Sequence, residues 1–352
     1  MTRVALDLLG GDHAPGSVVD GALLFADRVG PGVELLLVGP VDLSERLLAE
    51  RGAPGRFELV PASQVVGMDE DPARAVRTKR DATVRVAARL VRDGRADAVV
   101  SVGSTGAALA AAVFTLGRLR GVSRPPLAAV VPAQAGPLVF LDVGASTEAT
   151  PALLAQFALA GAAFAAVRLG LADPRVGLLS IGEEPGKGDE LRKAAYDALS
   201  ALPIRFVGNV EGRDVPYGGR ADVVVTDGFT GNVLAKGLEG AATMLTEVLH
   251  EAMTATPERS AAAEALLPAL TDATAHMSPE VLGGAVLLGV DGVVVVGHGA
   301  STPQGVASCL RTAVQAVEEG LVRRVATSLS ELHDRTRAEP PVATAGPGVV
   351  LA

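Results

Sequence analysis

The chain has 352 residues, 49% of them hydrophobic, with no tryptophan, two tyrosines and a formal net charge of −9. An acidic chain this poor in aromatics offers neither the basic face nor the stacking platform that nucleic acid requires, so no nucleic-acid partner is expected. A single cysteine, Cys309, excludes an internal disulfide and a cysteine-rich metal site, and neither a metal nor a cofactor is expected.

The N-terminus, MTRVALDLLGG, enters a strand at Val4–Asp7 without a signal-peptide pattern, which predicts a cytoplasmic protein. That strand ends in Gly10-Gly11-Asp12-His13-Ala14-Pro15, and a helix starts near Ser17. Adjacent glycines followed by Asp and His at a strand end suit a phosphate or carbonyl site, or simply a glycine turn with a solvated histidine. A strand at Leu35–Val38, a helix over Leu43–Arg51 and a strand at Phe57–Val60 continue the β-α-β order of a doubly wound fold.

Between Arg74 and Arg95 stand eight basic residues and two acidic ones, a local charge of +6 in an acidic chain. Arg85, Arg89 and Arg92 have the spacing of one helical stripe, joined by Arg74, Arg77, Lys79 and Arg80. Such a segment is either a solvated face or a dock for an acidic partner.

Ala96–Ala110 reads ADAVVSVGSTGAALA and Ala221–Ala235 reads ADVVVTDGFTGNVLA, identical at nine of fifteen positions. Each is a valine strand running into a Gly-x-Thr-Gly turn: Gly103, Ser104, Thr105 and Gly106 in the first, Gly228, Thr230 and Gly231 in the second, behind Asp227 and before Asn232. A turn of this kind aims free backbone N–H groups and the positive end of a helix dipole at one point, where an anion fits. Both turns are expected along one edge of one parallel sheet.

Between and beyond them, strands at Leu127–Val131 and Leu138–Val143 flank a turn over Pro132–Pro137. The apolar run Pro151–Val167 reads as a core or subunit-interface helix rather than a membrane span. A strand at Arg175–Ile181 leads into a glycine-rich loop carrying Lys187, and a strand at Ile204–Val207 ends in Gly208-Asn209-Val210-Glu211. Two consecutive helices, about 243–270, suggest a protruding hairpin for a partner, a second subunit or a lipid surface. The last strand, Val293–Val296, ends at Gly297-His298-Gly299, and one helix from Pro303 to about His333 closes the fold. A single domain over residues 1–335 is expected, followed by a disordered proline-bearing tail over 338–352.

The ordered set GGDHAP, Ser101–Gly106, Leu141–Ala145, Ile181–Glu184, GNVEGRD, DGFTGN, Gly283-Gly284-Ala285 and His298-Gly299 resembles the bacterial phosphate acyltransferases of the PlsX type, in register over nearly the whole chain. The resemblance implies a three-layer α/β/α fold, related to phosphotransacetylases and isopropylmalate dehydrogenases, with a mostly parallel sheet and usually a homodimer. It implies transfer of a fatty acyl group from acyl carrier protein to inorganic phosphate, giving acyl phosphate for phospholipid synthesis. It also implies peripheral contact with the inner face of the membrane and a downstream glycerol-phosphate acyltransferase as partner. The family usually has Asn where this chain has Ser104 and Ser146, Lys where it has Val296, and Tyr where it has Leu282. Val296 cannot replace a lysine's charge, which draws attention to Lys187.

In that chemistry phosphate is itself the nucleophile, and the site must hold it and stabilise an oxyanion. The Gly-x-Thr-Gly turns, Asn209 and Asn232 are the expected donors, and His13 or His298 the proton source for the departing sulfur. Asp7, Asp12 and Asp227 orient donors; Gly10, Gly11 and Glu211 complete the expected site. Two rivals remain: an acyl-coenzyme A phosphotransacetylase of the same fold, and a non-catalytic dimer that binds carrier protein or membrane.

Overall fold

A computed structural model describes residues 1–30, 32–274 and 283–338. Its first third alternates strands and helices, with two helices between β3 and β4: β1 (Thr2–Asp7), α1 (Gly16–Ala26), β2 (Val33–Gly39), α2 (Val41–Glu50), β3 (Glu58–Pro61), α3 (Pro72–Thr78), α4 (Thr83–Arg92), β4 (Ala98–Ser101) and α5 (Thr105–Thr115). Then come β5 (Leu127–Val131), β6 (Leu138–Leu141), α6 (Pro151–Leu169), β7 (Arg175–Ser180), α7 (Glu190–Ser200), β8 (Arg205–Glu211), α8 (Asp214–Tyr217), β9 (Val223–Val225) and the 27-residue α9 (Gly228–Thr254). The remaining elements are α10 (Pro257–Thr274), β10 (Ala285–Leu287), β11 (Val293–Val296), α11 (Pro303–Glu318) and α12 (Leu321–Ala338). Leu282 and residues 339–352, where the tail was expected, lie outside the described residues.

One eleven-stranded sheet runs in the order β3-β2-β1-β4-β11-β10-β5-β6-β9-β7-β8. Alternate side chains of each strand feed opposite faces, as the pleat requires. Val4, Leu6, Leu35, Leu37, Val139, Leu141, Val223 and Val225 pack on one side with α1, α6, α11 and α12. Ala5, Leu36, Val38 and Val99 meet α3, α4 and α5 on the other, where Leu138, Phe140 and Val224 meet the start of α9. The apolar α6 has the length and composition of a membrane span, yet most of it is buried as the central helix of the first of these faces. Thr150 and Pro151 start it, a hydroxyl cap and a residue with no N–H to lose.

Most pairings are parallel, but β11–β10, β10–β5 and β5–β6 are antiparallel. Three reversals are an odd number, so β1, β4 and β11 point one way and β6, β9, β7 and β8 the other. The two Gly-x-Thr-Gly turns therefore do not share one edge of the sheet. They sit at the C-terminal ends of oppositely directed strands, because β5 and β6 pair antiparallel; β10, antiparallel to both of its neighbours, leaves β5 running with β11.

Three local expectations also change. Thr230-Gly231-Asn232 is not a separate turn: α9 already begins at Gly228 and runs unbroken through the segment read as the hairpin's first helix. Gly208–Glu211 continues β8 rather than ending it. The long closing helix is two helices, parted at Gly320, whose φ of +65° favours glycine.

Candidate active site

The first turn is built on a buried carboxylate. Asp7, at the end of β1, accepts the Ser101 hydroxyl at 2.7 Å, and Ser101 Oγ in turn accepts Gly103 N at 3.2 Å. Burial pushes the Asp7 carboxyl above its usual range, against the pull of the Thr83 and Ser101 hydroxyls and the Leu9 and Gly10 amides. A Cβ on Gly10 would stand 2.7 Å from Asp7 Oδ2 and 2.9 Å from Gly103 N, so the β1 and β4 loops touch backbone to backbone. Gly11 has φ +109°, and Asp12 N donates to Gly299 O at 2.8 Å. Asp7, Gly10, Gly11, Asp12, Gly103 and Gly299 are thus one assembly; His13 stands exposed beside it. Ser104 caps α5, accepting Ala107 N at 3.4 Å, which leaves its hydroxyl proton and the exposed Thr105 hydroxyl uncommitted among the described residues.

At the second turn the cap sits two positions earlier in the aligned repeat. Asp227 accepts Thr230 N at 2.9 Å through Oδ1 and the Thr230 hydroxyl at 2.8 Å through Oδ2. Arg192, from α7, donates to Asp227, to Thr230 Oγ1 at 3.0 Å and to Thr226 Oγ1 at 3.2 Å. Burial would raise the Asp227 carboxyl, but the Thr230 amide and hydroxyl and the Arg192 guanidinium together hold it below its usual range. The Thr230 hydroxyl is consequently spent inside the cap. Gly228 and Gly231 serve packing rather than a positive φ: a Cβ on either would run into the Asp142–Ser146 loop, that of Gly231 into the Asp142 carbonyl oxygen itself. Asp142 is wholly buried and accepts four backbone N–H groups, from Leu127, Gly144, Ala145 and Ser146. Asn232 donates to Val143 O at 2.9 Å from the exposed face of α9.

The other expected residues divide. Lys187 is exposed, with its ammonium unengaged among the described residues, and Ser180 Oγ donates to its carbonyl at 3.2 Å. Asn209 is buried in β8, ties the same loop through Glu184 O at 2.8 Å, and leaves Oδ1 without a partner. Glu211 pairs with Arg213 at 2.6 Å within a cluster of Glu183, Asp214 and Arg220, and is held there rather than at a glycine turn. The basic segment is likewise partly spent. Arg85 donates to Val76 O and Arg77 O at the C-terminus of α3, Lys79 pairs with Glu70, and Arg92 pairs with Asp93. Arg89 is half-buried, Arg74 and Arg80 are exposed, and Arg77 lies 4.4 Å above the Phe114 ring. Pro72, which begins α3, sits against Gly106 at the first turn, while Arg77 stacks at the far end of α5.

Sequence reasoning found Asn232 and His298 but missed Lys236 and Glu239, which link them. Asn232, Lys236 and Glu239 lie at i, i+4 and i+7, one face of α9. The Lys236 ammonium is 3.2 Å from His298 Nε2, and Glu239 reaches Lys236 at 2.7 Å and His298 at 3.3 Å. The helix that begins at the second turn thereby arrives at the loop after β11, whose Gly299 accepts Asp12 N beside the first turn. The i, i+4, i+7 spacing was the signal, available once the helix is known to start at Gly228.

Comparison with known proteins fits this architecture. The family model described as fatty acid synthesis protein matches residues 2–324. A phosphate acyltransferase of Desulfitobacterium hafniense (strain Y51) is 44% identical over 94% of this chain and 98% of that protein. One from Heliobacterium modesticaldum is 45% identical over 92% and 96%. A phosphotransacetylase structure from Streptococcus pyogenes shares the fold at a TM-score of 0.61 and 15% identity, over 90% of this chain and 94% of that one. The chain belongs to the fatty acid synthesis protein family, in which its curated relatives are phosphate acyltransferases.

Proposed function

We propose that the protein transfers a fatty acyl group from the thioester of acyl carrier protein to inorganic phosphate. The observation that carries this reading is the open N–H and hydroxyl cradle at Ser104-Thr105, where among the described residues neither hydroxyl is hydrogen-bonded to a base that could make it a nucleophile. Cys309 is buried, and burial pushes its thiol up to about 12. Ser101 is buried, donating to Asp7, and the Thr230 hydroxyl is consumed by a cap. A bound phosphate oxygen must then attack the thioester carbonyl directly. The carbon–sulfur bond breaks, the acyl group leaves on phosphate, and the departing thiolate takes the proton that hydrogen phosphate brings into the site, passed on by His298.

In this reading phosphate sits at the first turn, and Asn232, with one amide hydrogen still uncommitted, faces the oxyanion. Phe229 and Val233, exposed one turn apart on α9, offer apolar surface to the acyl chain. Arg74, Arg77 and Arg80 form the dock for an acidic carrier. The exposed Met244, Leu245, Val248, Leu249, Leu266 and Leu267 of α9 and α10 face a second subunit or the membrane surface.

Release of carrier thiol, followed with a thiol reagent, is expected only when phosphate is supplied, with a hydroxylamine-reactive acyl phosphate as product. Thiol release indifferent to phosphate would sink the reading. Preference for acyl-coenzyme A would favour the phosphotransacetylase alternative, and no release at all the non-catalytic one.

A further inference from the structure

The cluster of Lys236, Glu239 and His298 holds more donors than it can satisfy. His298 Nδ1 accepts the Ala300 N–H at 3.2 Å, so the proton of a neutral imidazole is on Nε2. Nε2–H and the Lys236 ammonium are then two donors 3.2 Å apart, unable to bond one another. Glu239 is the acceptor they share, one oxygen each at 3.3 and 2.7 Å. An ammonium has three hydrogens, and one is used here. The His298 backbone is fixed as well: its carbonyl oxygen accepts Ser301 N at 3.0 Å and Ser301 Oγ at 2.6 Å. The carbonyl of the next residue, Gly299, accepts Asp12 N at 2.8 Å, and a Cβ there would stand 3.1 Å from the Asp12 carboxylate, at the Gly10-Gly11-Gly103 assembly. An ordinary surface ion pair would need neither the histidine nor this placement.

We propose that Lys236 is a catalytic residue that binds the phosphate dianion, delivered by α9 across the sheet to the N–H cradle of the first turn. The proposal rests on the acyl-transfer reading above and adds to it the cation that this reading lacks. Glu239 holds the ammonium toward His298 and the first turn, and the remaining N–H groups of Lys236 take up phosphate oxygens.

Lys236→Ala should raise KM for phosphate, and the Kd for inorganic phosphate measured by calorimetry, on the order of tenfold to a hundredfold, as for loss of one charge-assisted hydrogen bond. KM for the acyl-carrier thioester should move by less than about twofold. The side chain is half exposed, so thermal unfolding should be nearly unchanged. Lys236→Cys should show the same loss, and alkylation with 2-bromoethylamine, which rebuilds a lysine-like amine, should restore most of it. Buried Cys309 does not compete for the reagent. Unchanged phosphate Kd and KM in Lys236→Ala would overturn the proposal, as would a loss that aminoethylation fails to reverse. A wild-type protein that binds phosphate but releases no carrier thiol would remove the acyl-transfer reading alone, since the phosphate Kd still decides the role of Lys236.

Discussion

The turns at Gly103–Gly106 and Gly228–Gly231 look like copies in sequence and differ in almost every physical respect. In the first the cap is Ser104, so a serine and a threonine hydroxyl remain available above the helix N-terminus. In the second the cap is Asp227, two positions earlier in the repeat, and the matching threonine is locked between a carboxylate and Arg192. Gly106 makes room for a side chain, Pro72, whereas Gly231 makes room for a carbonyl oxygen. A shared Gly-x-Thr-Gly string therefore records a strand meeting a helix; the position of the cap decides whether the junction can hold a ligand.

Gly231→Ala is the harshest way to break this comparison. Its Cβ meets rigid backbone, so the variant should lose at least about 3 kcal/mol of stability or fail to fold, against about 1 kcal/mol for Gly106→Ala, where the Pro72 ring can shift. Thermal unfolding of the pair checks it, and equal losses would mean the two glycines do the same job. Next in size, Asn232→Ala should lower kcat by about 10²–10³ through a lost oxyanion donor. Its melting temperature should hardly change, because the residue is exposed. A fall in melting temperature with normal turnover per folded molecule would assign Asn232 to pinning Val143 alone.

The smallest effect is in acid. Asp227 is held low, so the stability it contributes is present above the unfolded value and is lost as pH falls through its lower folded value; Asp227→Asn should flatten the stability loss below about pH 4. Asp7 is held high by burial, so its ionised form costs stability near neutrality, and that cost is relieved as pH falls through the raised value. Asp7→Asn should instead remove a gain on acidification. Denaturant titrations from pH 3 to pH 7 separate the two signs.

Sequence alone carried the strands with valine or leucine runs, the capped alanine helices and the glycine loops, because each depends on neighbours a few residues away. It could not carry the direction of the second half. That follows from the antiparallel pairing of β5 with β6, whose sense relative to the rest of the sheet is fixed only once Ala285-Val286-Leu287, a strand too short to show a period, links β11 to β5. The i, i+4, i+7 face of Asn232, Lys236 and Glu239 was visible in principle, but its meaning required His298, about sixty residues on, to be known as its neighbour. Arg192 was equally hidden: its partners Thr226, Asp227 and Thr230 lie beyond β8, α8 and β9 along the chain.

The pairing of β4 with β11 also sets a timetable on the ribosome. One edge of β4 can pair with β1 as soon as β4 is made, but the other waits for Val293–Val296. At typical bacterial elongation rates that interval is roughly 10–40 s, during which a four-residue valine-rich edge has no native partner. His298 emerges immediately after β11. The nascent chain thus closes its sheet and brings the imidazole to Lys236 within the same few residues of synthesis, so a truncation before Val293 would leave both an open strand edge and half a site.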